Sequence, residues 1–151
     1  MVIARLSKGY TIIELLTVVA LLAILTTISV PTFQAYAARQ RVNGAARQVL
    51  TDLMAARMKA VSMNRRVGIF LINGHQYKIC DDANNDGTVA NGEGTVIAKD
   101  IHPDYYDVAL SANFNPLFYT NGTARNGTVI ITGCSISKNI TVSIAGRATI
   151  N

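Results

Sequence analysis

The sequence predicts an α+β protein in which one long amino-terminal helix packs on a small antiparallel β-sheet head. Three observations carry that prediction. Residues 10–30 are apolar with Glu14 as the only charged member, a run long enough to cross a bilayer of about 30 Å as a helix. From Val42 to Val61 apolar residues recur at three- and four-residue steps, the period of an amphipathic helix. After Arg66 the pattern turns to short extended runs punctuated by Asn-Gly and Asp-Gly pairs.

Residues 1–9 read as a short basic leader with Arg5 and Lys8, which the positive-inside rule places on the cytoplasmic side. Residues 10–30 read as a transmembrane and assembly helix. A carboxylate at depth in a bilayer costs about 2.5 kcal/mol or more, so Glu14 needs a partner or a function. Cleavage after Gly9 would supply one, a new amino terminus at Tyr10. A secretory signal peptide fits less well. Its apolar core is roughly 7 to 15 residues long, and the nearest small-x-small site, Ala35-Tyr36-Ala37, lies beyond Pro31 in a stretch that continues as helix. A plain signal anchor explains the hydrophobicity and the basic leader but not Glu14.

Residues 31–66 read as an amphipathic continuation of the helix. Val42, Ala46, Val49, Leu50, Leu53, Ala56, Ala60 and Val61 form the apolar stripe, and Arg41, Arg47, Asp52 and Lys59 fall largely between them. The stripe must be covered, and the head is its natural partner, so this half is expected to be the spine of the head. Pro31 removes a backbone donor and is expected to bend the helix where its two halves meet.

Residues 67–151 read as a β-rich head. Runs at 67–72 and 76–80 flank Asn73-Gly74, a strong hairpin signal. Further strands are expected at 95–101, 107–110, 128–134, 140–144 and 147–150, with a second hairpin around residues 135–139. The net charge of +5 is unevenly spread: residues 31–66 carry seven bases against Asp52 alone, whereas the head carries five bases and seven acids. The basic stretch reads first as the solvated face of the amphipathic helix, and second as a surface for nucleic acid or anionic lipid.

Lys8-Gly9-Tyr10-Thr11-Ile12-Ile13-Glu14 resembles the class III signal of type IV prepilins. The resemblance implies that a membrane peptidase cuts between Gly9 and Tyr10 and methylates Tyr10, which stands where Phe is usual. Pro31 is similar to the helix-kinking proline of such proteins. In the tail, Phe118-Tyr119-Thr120-Asn121-Gly122-Thr123-Ala124-Arg125-Asn126-Gly127-Thr128 and Ile140-Thr141-Val142-Ser143-Ile144-Ala145-Gly146-Arg147 resemble the GspH/FimT family of minor pseudopilins and minor pilins. What this implies is a type IV pilin-like fold and a structural role in a type II secretion pseudopilus or a type IV pilus. Implied partners are other pilin subunits, the prepilin peptidase, an assembly platform with its ATPase, and membrane lipid. The implied location is the bacterial inner membrane, single-pass with a periplasmic head, and then the filament.

Two features of the head carry chemistry of their own. Residues 82–93 fit the twelve-residue calcium loop, with Asp82, Asn84, Asp86 and Glu93 as oxygen ligands and Gly87 at the turn. The loop lies between strands rather than helices, so a polar hairpin built on its Asp-Gly and Asn-Gly turns competes with calcium. No cofactor is otherwise required. Cys80 and Cys134, each at the end of an expected strand, are candidates for a disulfide outside the cytoplasm; buried free thiols are the other reading. His75 and His102 stand in no metal-ligand pattern and no catalytic motif is present, so no enzyme is expected. The alternatives to a minor filament subunit are a DNA-binding minor pilin, a major pilin, and a plain membrane-anchored binding domain. The resemblance implies that DNA binding is disfavoured, because some DNA-binding FimT-like proteins carry a basic Gly-Arg-x-Arg near the tail and Gly146-Arg147-Ala148-Thr149 lacks its second arginine.

Overall fold

A computed structural model describes residues 9–134 and 136–151. The expected leader up to Lys8, with Arg5, and Ser135 in the second hairpin lie outside the described residues. Within them the chain forms a 52-residue helix, α1 (Ile12–Met63), followed by nine strands. Contacts divide the chain into a unit ending at Tyr36 and a second unit, Ala37–Asn151.

In the first unit the helix begins at a Thr-x-x-Glu box. Thr11 stands at the N-cap, and its Oγ1 accepts the backbone N–H of Glu14 at 3.3 Å. The helical ladder continues through Pro31. Around it, Thr26, Thr27, Ser29 and Thr32 turn their hydroxyls back onto carbonyls three or four residues earlier, which satisfies these polar groups within the helix itself.

The second unit is the head. Its helical part buries Ala38, Val42, Ala45, Ala46, Val49, Leu53, Ala56 and Ala60, a stripe at steps of three and four residues. Val61, expected in that stripe, is 51% exposed, because a residue next to Ala60 is rotated about 100° round the helix from it. α1 ends at Asn64, whose φ of 49° is left-handed. Arg65 N–H reaches Ala60 O at 3.2 Å and Asn64 N–H reaches Val61 O at 3.4 Å. This is a Schellman cap with Asn in glycine's usual place.

The strands form two antiparallel sheets. β1 (Val67–Leu71), β2 (Gln76–Asp81), β3 (Ile97–Asp100), β5 (Leu117–Phe118) and β6 (Ala124–Arg125) stand in the order β3-β2-β1-β5-β6; β4 (Ala109–Ala112), β7 (Gly127–Thr132), β8 (Ser137–Val142) and β9 (Ala148–Ile150) in the order β4-β7-β8-β9. The β1–β2 hairpin pairs Leu71 with Tyr77 and closes through Asn73, whose Oδ1 accepts the N–H groups of His75 and Gln76 at 2.8 Å each. Its turn is therefore an Asx turn, and Gly74 does not need a left-handed conformation. One core joins the helix stripe to both sheets, through Val67, Ile69, Tyr77 and Phe118 on one and Leu110, Val129, Ile131 and Ile140 on the other.

Candidate processing and assembly site

Gly9 and Tyr10 precede the helix in non-helical backbone. Among the described residues nothing lies within 4 Å of the place a Gly9 side chain would occupy, and Tyr10 is 88% exposed. An exposed bond outside regular secondary structure is the form in which a peptidase can take a backbone into its cleft. Glu14 follows in the first helical turn, where the partial positive charge of the helix terminus favours a carboxylate. Its N–H is capped by Thr11, but its carboxylate has no hydrogen bond or ion pair among the described residues. The Thr11 cap has a signature in the sequence, Thr-x-x-Glu.

Beyond Glu14 the helix presents bulky apolar side chains to the outside: Leu16, Leu21, Leu25, Ile28 and Phe33 are all exposed. The helix is long and apolar enough to cross a membrane, and none of that apolar window is buried within the chain. Such a surface is incompatible with water and must be covered by lipid or by other apolar helices. Pro31 lies exposed within this helix.

In the head, the tail residues that suggested a family meet at one side chain. Arg57 of α1 donates Nε to Gly122 O at 2.9 Å and Nη2 to Ala145 O at 3.3 Å. Gly122 and Gly146 have left-handed φ values of 79° and 74°. A Cβ on Gly146 would run into the Gly122 carbonyl and approach Arg57 Nε. The two glycine turns are thus pinned together and to the helix by one guanidinium, a role for Arg57 that the sequence did not disclose.

Other bases of the stretch 31–66 are also taken up internally. Arg41 holds Asp107 with two bonds of 2.7 Å and lies 4.8 Å from the Tyr106 ring centre. Lys59 meets Asp81 at 3.0 Å. Asp52 accepts the Tyr77 hydroxyl at 2.5 Å and faces Lys99 at 3.8 Å. The hydrogen bond from Arg41 holds the Asp107 carboxyl below its ordinary pKa. For Asp81 burial works against ionisation, but the bonds from Lys59 and Thr95 outweigh it and the pKa is again lowered. Tyr77 is pushed far up by burial and then by its bond to Asp52. The expected solvated face is therefore replaced in part by clamps between the helix and the head; Arg39 and Arg47 remain exposed.

The loop 82–93 does not form the expected calcium cage. Asp86 Oδ1 accepts Thr88 N–H and Oγ1 at 2.7 Å each, Asn84 Oδ1 accepts Asp86 N–H at 2.9 Å, and Glu93 Oε2 accepts Ala90 N–H at 2.9 Å. Among the described residues no three Asp, Glu, His or Cys side chains converge as metal ligands. Asp82 is buried, with Oδ2 bonded to Gly87 N–H at 3.1 Å and Oδ1 without a partner. That orphaned oxygen is suited to a cation, whereas Asn84, Asp86 and Glu93 turn oxygens onto N–H and O–H groups of the loop itself. The expected bridge between Cys80 and Cys134 is not formed either. Cys80 is buried on β2 of the five-stranded sheet, where Sγ lies 3.3 Å from Gly92 N, and Cys134 is exposed beyond β7 of the other sheet.

The sequence model of the family described as type II transport protein GspH matches residues 45–146. The chain belongs to the GspH family. The prokaryotic N-terminal methylation motif matches residues 4–30 of this GspH-family chain. No curated protein sequence gives a significant match. Among solved structures, the type IV minor pilin FimU of Pseudomonas aeruginosa shares 20% identity over 75% of this chain and 90% of its own, with a TM-score of 0.58. The minor pseudopilin EpsH of the Vibrio cholerae type 2 secretion system shares 9% identity over 74% of this chain and 96% of its own, with a TM-score of 0.57. At these identities the likeness is one of fold. Family and fold together make this GspH-family chain a minor pseudopilin or pilin, a structural subunit that is anchored in a membrane by its amino-terminal helix and assembles with other pilin subunits.

Proposed function

We propose that this GspH-family subunit is cut by a prepilin peptidase between Gly9 and Tyr10, methylated at Tyr10, and held in the bacterial inner membrane with its head in the periplasm. An assembly platform and ATPase then build it into a type II secretion pseudopilus or a type IV pilus. One observation carries the reading. An open, non-helical Gly9-Tyr10 bond stands directly before a capped helix whose apolar segment, residues 10–30, has Glu14 as its only charged residue, with a carboxylate that has no partner among the described residues. After cleavage the Tyr10 amine is cationic near neutral pH. As helices pack, Glu14 of one subunit neutralises that amine on a neighbour; in an apolar bundle, where an unpaired charge is costly, the pair sets register. DNA binding is further disfavoured, since Arg41, Arg57 and Lys59 are engaged with the head rather than free for phosphates.

The test is the intact mass and amino-terminal sequence of membrane-extracted protein from cells with and without the peptidase. The expected product begins at methylated Tyr10 only when the peptidase is present. A chain that keeps Met1, or one cut near Ala37, overturns the reading. Glu14→Gln is expected to leave cleavage intact while the subunit disappears from sheared filaments.

A further inference from the structure

The outer face of the five-stranded sheet holds a cleft that none of the foregoing uses. Along β1, Val67 and Ile69 go to the core, and the alternate residues Arg66, Gly68 and Phe70 line a cavity of about 290 Å³. The same division holds across β5 and β6, where Phe118 and Ala124 are buried while Leu117, Tyr119 and Arg125 line the cavity. The loop at Gly87, Thr88 and Val89 forms the opposite wall. Gly68 lets the Phe70 ring and Val89 close over the strand, since a Cβ there would press on both.

Two arginines face this cleft without a carboxylate within ion-pair distance among the described residues. The Arg66 guanidinium lies 5.4 Å from the Tyr119 ring centre, a cation–π contact that holds it in place. Arg125 is exposed and donates Nη2 to Asn115 O at 3.2 Å, which leaves its other N–H groups available. Asp86 acts on Arg66 only through its longer-range field and is itself tied to Thr88 and Asn84. The walls between the arginines are apolar: Phe70, Val89 and Leu117.

We propose that this cleft binds an acidic peptide segment of a protein partner, with a carboxylate taken by Arg66 and Arg125 and an adjoining apolar side chain laid against Phe70, Val89 and Leu117. A guanidinium fork matches a carboxylate in two-point geometry, and the apolar walls suit a peptide side chain. A nucleic acid fits the surroundings less well. Its backbone needs a track of positive charge, and the cleft lining offers two cations, Arg66 and Arg125. The proposal stands apart from the filament reading, and either can fail without the other.

The test is calorimetric titration of the full-length protein in detergent with the peptide Gly-Asp-Phe-Asp-Gly, with its Asn-for-Asp counterpart, and with oligothymidylate. Binding of the acidic peptide is expected to weaken at least about tenfold in Arg125→Gln, and by a similar factor when Asn replaces Asp in the peptide. Arg125 is exposed, so its substitution does not threaten the fold; Arg66→Gln, checked by its melting curve, should behave alike. No binding to the unaltered protein overturns the proposal, as does equal binding by the variant or by the Asn peptide. Tighter, Arg125-dependent binding of oligothymidylate assigns the cleft to nucleic acid instead.

Discussion

At Gly146 the backbone has a φ of 74° and a Cβ would collide with the Gly122 carbonyl, so both the conformation and the space exclude a side chain. Gly146→Ala is expected to lower unfolding free energy by about 2 kcal/mol, read in urea denaturation, and to release the Arg57 clamp on Ala145 and Gly122. An unchanged midpoint would mean that the turn relaxes freely and that Arg57 is not holding it. The carboxylates set the response to acid. Asp107 and Asp81 both have folded pKa values below the ordinary 3.8. An unfolded chain therefore takes up protons first as pH falls, and the stability these groups contribute is complete above about 3.8 and lost as pH drops through the lowered folded values. Melting temperature should accordingly fall steeply below pH 4. Asp107→Asn should flatten that dependence, and a slope unchanged by the substitution would remove the Arg41–Asp107 pair from the account.

At the scale of elements, the two cysteines stand at different sheets, Cys80 buried on β2 of one and Cys134 exposed just past the end of β7 of the other. A thiol reagent should therefore modify Cys134 quickly in the native protein and Cys80 only on unfolding, and reductant should leave the melting curve unchanged. A reductant-dependent shift of several degrees would show that a bridge forms after all. The long helix and most strands were legible, because a three-and-four period and alternating apolar runs report directly on which face is buried. Val61 was misplaced because apolar character alone does not separate a stripe residue from its neighbour one step round the helix. β5 and β6, two residues each, are too short to leave a period; they exist because Leu117 and Phe118 lie beside β1, a pairing set by tertiary contact. The division into two sheets was hidden for the same reason. In the acidic loop the sequence pattern of calcium ligands was present, but such short polar side chains bond equally well to backbone N–H groups, and that use prevailed.

For the whole molecule, the decisive property is how unevenly its apolar surface is distributed. Every residue of the hydrophobic core lies between Val42 and Ala148, within the unit that begins at Ala37, while the large apolar side chains from Ile12 to Phe33 are exposed. A membrane or a bundle of like helices is what the first unit needs; the second has its own buried core and the clamps Arg41–Asp107, Lys59–Asp81 and Asp52–Tyr77 within itself. A chain beginning at Ala37 should then remain monomeric without detergent and unfold in one cooperative step. Within that chain Leu53→Ala, at a fully buried position of the helix stripe, should lower stability by about 3 kcal/mol through lost burial and the cavity left behind. Sedimentation and a urea melt followed by circular dichroism check both expectations. A shortened chain that aggregates or melts without cooperativity would show that the head depends on the first unit for its fold. A cooperative, monomeric head would leave residues 10–36 with anchoring and assembly as their only work, which is the separation of duties that a filament subunit requires.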